Sequence, residues 1–326
     1  MVECVTPGLA SLRQGRKLDF SRALSGLEQS YEKMLPLLSE CYAQPCAQVI
    51  GITGPPGVGK STLLSEMISI YREQGRTVGV IAIDPSSKQS GGAFLGDRVR
   101  FSTEPEDQGV FVRSMAARQR LGGLADHTTA AMVLMRAVFD IVLIETVGVG
   151  QSETDVSSVA DSIVFCVQPG SGDSLQFMKA GIAEIPDIAL VTKADLGEAA
   201  ERAKADLRGA LSLASTHSDE WGVKVLSVSA SSQATNNQTN NNQDSVQDFI
   251  STLGEHYQWM QGKGVLADKR QKQAQHWLFE GLKDNFGRKG LDFIQQRKLL
   301  PDNLDLCSPF EVLGTINSQL GFSTTG

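Results

Sequence analysis

The sequence predicts an α/β fold in which a mostly parallel sheet is flanked by helices, with a helical segment before it and a helical arm after it. Three observations predict it. Short apolar runs alternate with amphipathic stretches from about residue 47 to residue 230. The runs are apolar nearly throughout, as strands buried on both faces are, rather than alternating in and out. The first of them leads into "GPPGVGKS", residues 54–61, a phosphate-loop pattern lying between a strand and a helix.

Taken in order, residues 9–44 read as mostly helical. Leu9, Leu12, Leu24, Leu27, Tyr31, Met34 and Leu38 recur at roughly helical spacing, and "GRKLDF" reads as a break. The strands follow as "AQVIGIT", "TVGVIAID", "GVFVRS", "DIVLIE", "SIVFCVQ", "DIALVTK" and "VKVLSVS". Helices are expected from Lys60 and around residues 124–138. The run "QATNNQTNNNQ", residues 233–243, is polar and of low complexity, and is read as a loop that buries no core. Beyond it, Val246, Phe249, Ile250, Leu253, Tyr257 and Met260 line one face of a helix. A second helix is expected from about Val265 to Phe286, with Ala274, Trp277, Leu278, Leu282 and Phe286 on one side. Such a stripe must be covered, by its own domain or by a second subunit. The expected organisation is therefore a helical segment 1–46, a nucleotide-binding domain 47–232, the polar loop 233–243 and a helical extension 244–326.

Composition narrows the function classes. The chain has 326 residues, 41% of them hydrophobic, enough for a substantial core. A net charge of -7 with mixed signs gives no footprint of a nucleic-acid binder. The five cysteines form no CxxC pair, and the four histidines show no metal-ligand spacing. A reducing cytoplasm is the expected compartment. "MVECVTPGLASLRQGRK" lacks the apolar stretch of a secretory signal, and no run approaches the ~20 apolar residues of a membrane span.

The phosphate loop carries the first chemistry. Gly54, Gly57 and Gly59 let the backbone curl so that N–H groups, Val58 among them, face phosphate oxygens at a helix N-terminus. Lys60 supplies a full positive charge for the β- and γ-phosphates. Ser61 offers a hydroxyl to Mg²⁺, and Thr62 reaches toward the α-phosphate. The base is read from "VTKAD", residues 191–195. A carboxylate at Asp195 can accept hydrogen bonds from the ring N–H and exocyclic amine of guanine, which adenine cannot offer in that pattern. Lys193 would lay its stem along the base, and Thr192 stands where the usual NKxD motif has Asn. Ser229 and Ala230, after the last strand, are expected to meet the purine carbonyl through backbone N–H groups.

Acids complete the set. Glu145 closes "DIVLIE", on a strand expected beside the phosphate-loop strand, and Gly148 three residues on could sense a γ-phosphate. Asp84 closes "TVGVIAID", and Asp97 lies in "GGAFLGDRVR". Oxygen ligands of this kind suit octahedral Mg²⁺. Taken singly, Glu145 also reads as a polar strand end and Asp97 as a solvated loop acid.

Together, "GPPGVGKST", "IDPSS", "GGAFLGDRVR", "ETVGVGQSE", "GDSLQFMKAGI" and "TKAD" resemble the MeaB/ArgK/MMAA family, GTPases that act as chaperones of cobalamin-dependent acyl-CoA mutases. The resemblance covers residues 47 to about 230, and more loosely the stretch near residue 270. It implies a homodimeric P-loop GTPase of the SIMIBI class, binding GTP and GDP with Mg²⁺, whose nucleotide state gates cofactor loading or rescue of a methylmalonyl-CoA mutase-type partner. It assigns Asp84, Asp97 and Glu145 to the Mg²⁺ and switch region. It also makes residues 172–179 a further switch loop, with Asp173 and Lys179 as candidates for assisting hydrolysis. Lys179 equally reads as a solvated helix lysine. Thr192, the Ala93-Phe94 pair and the Asn/Gln run depart from the family pattern. Three other readings stay open: a small-molecule kinase, a metallochaperone GTPase, and a scaffold that senses nucleotide without turning it over.

Overall fold

A computed structural model describes residues 8–14, 17–85, 107–117, 126–146, 156–170, 186–212, 221–230, 244–301, 303–304 and 307–320. Asp97, Gly148, Asp173 and Lys179 lie outside the described residues, and Asp84 is described only in its backbone.

Seven strands form one all-parallel sheet: β1 (Gln48–Thr53), β2 (Val78–Pro85), β3 (Val110–Ala117), β4 (Ile141–Glu145), β5 (Ser162–Val167), β6 (Ile188–Val191) and β7 (Lys224–Ser227). Their spatial order is β3-β2-β4-β1-β5-β6-β7. Every residue of β1, β4, β5 and β6 is buried, which explains why these runs carry no polar alternation. Register places Glu145 opposite Ile52 and Ala82 opposite Glu145, so β4 sits between β1 and β2. The carboxyl ends of the strands therefore converge at the phosphate loop, where open α/β sheets bind ligands.

Helices cover both faces: α1 (Leu9–Arg13), α2 (Lys17–Gln29), α3 (Tyr31–Ala43), α4 (Lys60–Glu73), α5 (Asp126–Val138), α6 (Glu198–Ser212), α7 (Val246–Gly262), α8 (Val265–Gln296) and α9 (Pro309–Gln319). One core lies between the N-terminal helices, α5 and the sheet; a second lies between the sheet, α4 and α7. The expected break at "GRKLDF" is narrower than the sequence reading, because Lys17 to Phe20 already belong to α2. Phe20 is the reason. It is buried edge-on against Phe111 and Phe139, with ring centroids at 4.8 and 5.2 Å, and that contact draws its turn into the helix.

The helix expected to end at Phe286 breaks at the next residue. Gly287 takes φ 67° and ψ -179°, and helix resumes to Gln296. The apolar stripe of α8 is covered within the chain. Leu278, Leu282 and Ile294 pack with Val312, Leu313 and Ile316 of α9. α9 in turn seats on α3, with Ser39 Oγ donating to Ser308 Oγ at 3.1 Å.

α8 is also riveted to the amino-terminal end of the sheet. Arg270 makes a two-pronged pair with the buried Asp161, Nε to Oδ1 at 2.8 Å and Nη2 to Oδ2 at 2.7 Å, and Nη2 reaches Ala47 O at 2.8 Å. Asp161 Oδ2 also accepts the Val49 N–H at 2.8 Å. Burial works against the Arg270 charge, but the hydrogen bonds and charge of Asp161 outweigh it and raise the guanidinium pKa. One turn on, Gln273 Nε2 donates to Ser157 O and Ala160 O, and a turn further Trp277 Nε1 donates to Ser158 O.

Among the described residues, no helix is long and apolar enough to cross a membrane.

Candidate functional site

The loop from Gly54 to Gly59 joins β1 to α4. It runs so close to β5 that a Cβ on Gly54 would lie 2.2 Å from Cys166 O, and Gly54 has φ +139°. Only glycine fits that approach. Gly59 enters α4 at φ 97°, with no side-chain cap on the helix N-terminus. An uncapped N-terminus of a 14-residue helix presents N–H groups and partial positive charge along the loop.

Lys60 folds back over this loop. Its buried ammonium donates to Gly54 O at 2.6 Å and Pro55 O at 3.0 Å. Ser61, the next residue, points the other way, and its hydroxyl donates to Glu145 Oε1 at 2.8 Å. A hydroxyl and a carboxylate thus meet at the mouth of the loop, Glu145 itself being buried. Behind them Thr146 Oγ1 donates to Thr53 Oγ1 at 2.8 Å, locking the ends of β4 and β1 together. The donor set at this point is hard oxygen. Among the described residues no three of His, Cys, Asp and Glu gather around one point. Cys166 lies beneath the loop, and burial pushes its thiol up to about 12, so it is neutral.

The second half of the site is the turn after β6. Thr192 is buried, and its hydroxyl donates to Val58 O at 2.6 Å and Val167 O at 3.0 Å. The residue that departs from the usual motif therefore ties this turn to the phosphate loop. Lys193 takes the left-handed φ of 54°. Its ammonium reaches Gly57 O at 3.0 Å and Gln168 Oε1 at 2.6 Å. Asp195 is exposed, and its Oδ1 accepts the Ser229 hydroxyl at 2.7 Å. Ser229 and the half-buried Ala230 follow β7 after one residue, Val228.

The structure thus brings Gly54, Gly57, Val58, Gly59, Lys60, Ser61, Glu145, Thr192 and Lys193 together around one loop, with Asp195, Ser229 and Ala230 beside it. Thr62 continues α4 just behind Ser61. Asp84 is the penultimate residue of β2, two residues past the partner of Glu145. Sequence reasoning missed Gln168, the partner of Lys193, and the Thr53–Thr146 lock. Neither carries a motif; each is found only once β1, β4 and β5 are neighbours. Chemically, the arrangement can hold a polyphosphate at a helix N-terminus, counter it with one ammonium, offer oxygen ligands to a divalent cation, and present a carboxylate to a base some distance along the sheet edge.

Comparison with known proteins agrees with this chemistry. The family model for the methylmalonyl-CoA mutase-associated GTPase MeaB matches residues 21–291. A Pyrococcus abyssi protein named as a GTPase is 40% identical over 266 residues, 81% of this chain and 79% of its own. The mouse protein named methylmalonic aciduria type A homolog, mitochondrial, is 37% identical over 245 residues, 74% of this chain; the match spans 57% of that longer protein. A solved structure described as a LAO/AO transport system kinase superposes with a TM-score of 0.63 over 96% of both chains at 24% identity, a likeness of fold. The parallel sheet, the phosphate loop and a family match over most of the length lead to one conclusion: this chain belongs to the MeaB family, and is a GTP hydrolase that binds GTP and GDP.

Proposed function

We propose that this GTPase is Mg²⁺-dependent and serves a cobalamin-dependent acyl-CoA mutase of the methylmalonyl-CoA mutase type, its nucleotide state gating cofactor loading or reactivation of that partner. The observation that supports it most is the Ser61–Glu145 contact at 2.8 Å, beside Lys60 and at the mouth of the loop. In this reading the loop N–H groups from Gly54 to Thr62 and the Lys60 ammonium hold the phosphates. Ser61 and Glu145 hold the cation, with Asp84 at the neighbouring strand end and Asp97 as further acids. Bound there, Mg²⁺ would draw charge from the β- and γ-phosphate oxygens. Hard oxygen donors are what that ion prefers.

Lys193 flanks the base, and Asp195 accepts its two edge donors. Gly148, three residues past Glu145, senses the γ-phosphate, and Lys179 assists hydrolysis, a role carried by the family resemblance. The mutase-type partner is supported by the family description and by the name of the mouse relative. We further place the nucleotide module at 47–232 and a homodimer contact on the helical extension 244–326, in a reducing cytoplasm.

The kinase reading needs an acceptor site with its own base, and no residue set in the sequence announces one. The metallochaperone reading is disfavoured because Cys166 is buried within β5 and, among the described residues, no three of His, Cys, Asp and Glu gather around one point. The decisive experiment has two arms. Calorimetry should give GTP and GDP binding that EDTA weakens and ATP does not match. Capture of a purified methylmalonyl-CoA mutase should differ between the GDP state and a non-hydrolysable GTP state. No capture in either state sinks the partner; ATP preference sinks the site.

A further inference from the structure

Selectivity for the base depends on where the chain sits after β7, and the fold holds that point from an unforeseen side. α6 starts just past the Ala194–Leu196 turn and carries Lys204, whose side chain is buried. Its ammonium donates to Ser227 Oγ at 3.1 Å and to Asp244 Oδ2 at 2.8 Å. The same carboxylate oxygen accepts the Ser227 N–H at 2.9 Å, and the Asp244 N–H donates to Ser227 O at 3.0 Å. Asp244 therefore grips both backbone groups of the last residue of β7, although it lies 17 positions further along, beyond the Asn/Gln run. Val228, next in line, is bonded on both sides, its N–H to Val191 O at 2.8 Å and its carbonyl from the Ala194 N–H at 3.1 Å. Then comes Ser229, whose hydroxyl meets Asp195 Oδ1 at 2.7 Å.

We propose that Lys204 and Asp244 are positioning residues for purine selectivity: a largely buried ion pair that fixes the end of β7, so that Ser229 holds the Asp195 carboxylate in the plane of a guanine edge. The inference deepens, and rests on, the guanine reading of Asp195 above. A carboxylate that must accept two donors at once discriminates only when its plane is fixed. Asp195 is exposed and would otherwise turn freely. One bond from Ser229 restrains it, and that bond keeps its direction only while Ser227 stays where Lys204 and Asp244 hold it.

The test compares GDP with inosine diphosphate, which lacks the exocyclic amine. The full-length double variant Lys204→Met/Asp244→Asn removes both charges together, and its Asn keeps an acceptor for the Ser227 N–H, so no lone buried charge is left. Expected is a fall of about tenfold in the GDP-to-inosine-diphosphate affinity ratio, with KM for GTP rising more than kcat falls. Ser229→Ala should lower the ratio similarly and add little when combined with the double variant. An unchanged ratio accompanied by a lower Tm would mean that the pair is only structural, and overturns the proposal; so do fully additive effects. Asp195→Asn run alongside should move preference to xanthosine diphosphate. If that swap fails, the guanine reading itself falls. If it succeeds while the ratio in the double variant holds, only the role of Lys204 and Asp244 falls.

Discussion

Replacing Arg270 with methionine keeps most of the side-chain volume and removes one charge of a buried pair. Asp161 is fully buried, and with Arg270 gone its carboxylate retains only the Val49 N–H among the bonds described above. Breaking a buried pair from one side costs about 3–5 kcal/mol, since the remaining charge is left uncompensated. Loss of the bond to Ala47 O adds about 1 kcal/mol. Total stabilities run to about 5–15 kcal/mol, so this is a large fraction of the whole. At roughly 2–4 °C per kcal/mol for a chain of this class, Tm should fall by on the order of 10–20 °C. Scanning calorimetry at matched GDP concentration measures it, because bound nucleotide also raises Tm. Asp161→Leu/Arg270→Met removes both charges and should recover part of the loss. A fall of less than about 3 °C in the single variant, or a double variant no better than the single one, would refute the reasoning.

Other substitutions probe the site and its surroundings. Gly54→Ala sets a methyl against Cys166 O at a φ that L-residues avoid, so it should cost at least about 2 kcal/mol and abolish tight GTP binding. Gly57→Ala meets open space and strains only φ, so thermal melts should show a smaller loss of about 1–2 kcal/mol. Thr192→Val leaves the buried Val58 carbonyl without its hydroxyl donor. Stability should drop by about 1–3 kcal/mol, with weaker GDP binding read by calorimetry, and Thr192→Asn should retain more of both. His256 is pulled below its ordinary pKa by burial, with Asp187 and Asp161 opposing that shift and Lys269 adding to it. The unfolded chain then takes up a proton near pH 6.5 that the fold resists, so stability should fall as pH drops below about 6.5 toward the folded pKa. His256→Gln should flatten the Tm–pH slope between about pH 7.5 and 5.5.

The strands were legible because burial on both faces leaves an unbroken apolar run, and the phosphate loop because its spacing is set by backbone geometry. α6 left no such mark. Its buried stripe is made by Ala200, Lys204, Leu207 and Leu211, and two of those four are an alanine and a lysine. α9 could have been delimited from Ser308-Pro309, a helix-start signal at the position the structure uses. The polar residues inside the fold were illegible for a different reason. Thr192 meets Val58 across 134 positions, and Arg270 meets Asp161 across 109. Such partners become neighbours only through the order of the strands, which one sequence does not state. Thr192 shows the consequence: in sequence it reads as a departure from the usual motif, whereas its hydroxyl is committed to the Val58 carbonyl of the loop and the Val167 carbonyl at the end of β5.

The seat of α9 on α3 joins Ser39 to Ser308, 269 residues apart. At about 5–20 residues per second of synthesis, the ribosome needs roughly 15–50 s to make the cover for helices it has long since released. Through that interval the greasy flank of the newborn first helices stands open to whatever holdase or neighbouring nascent chain reaches it first.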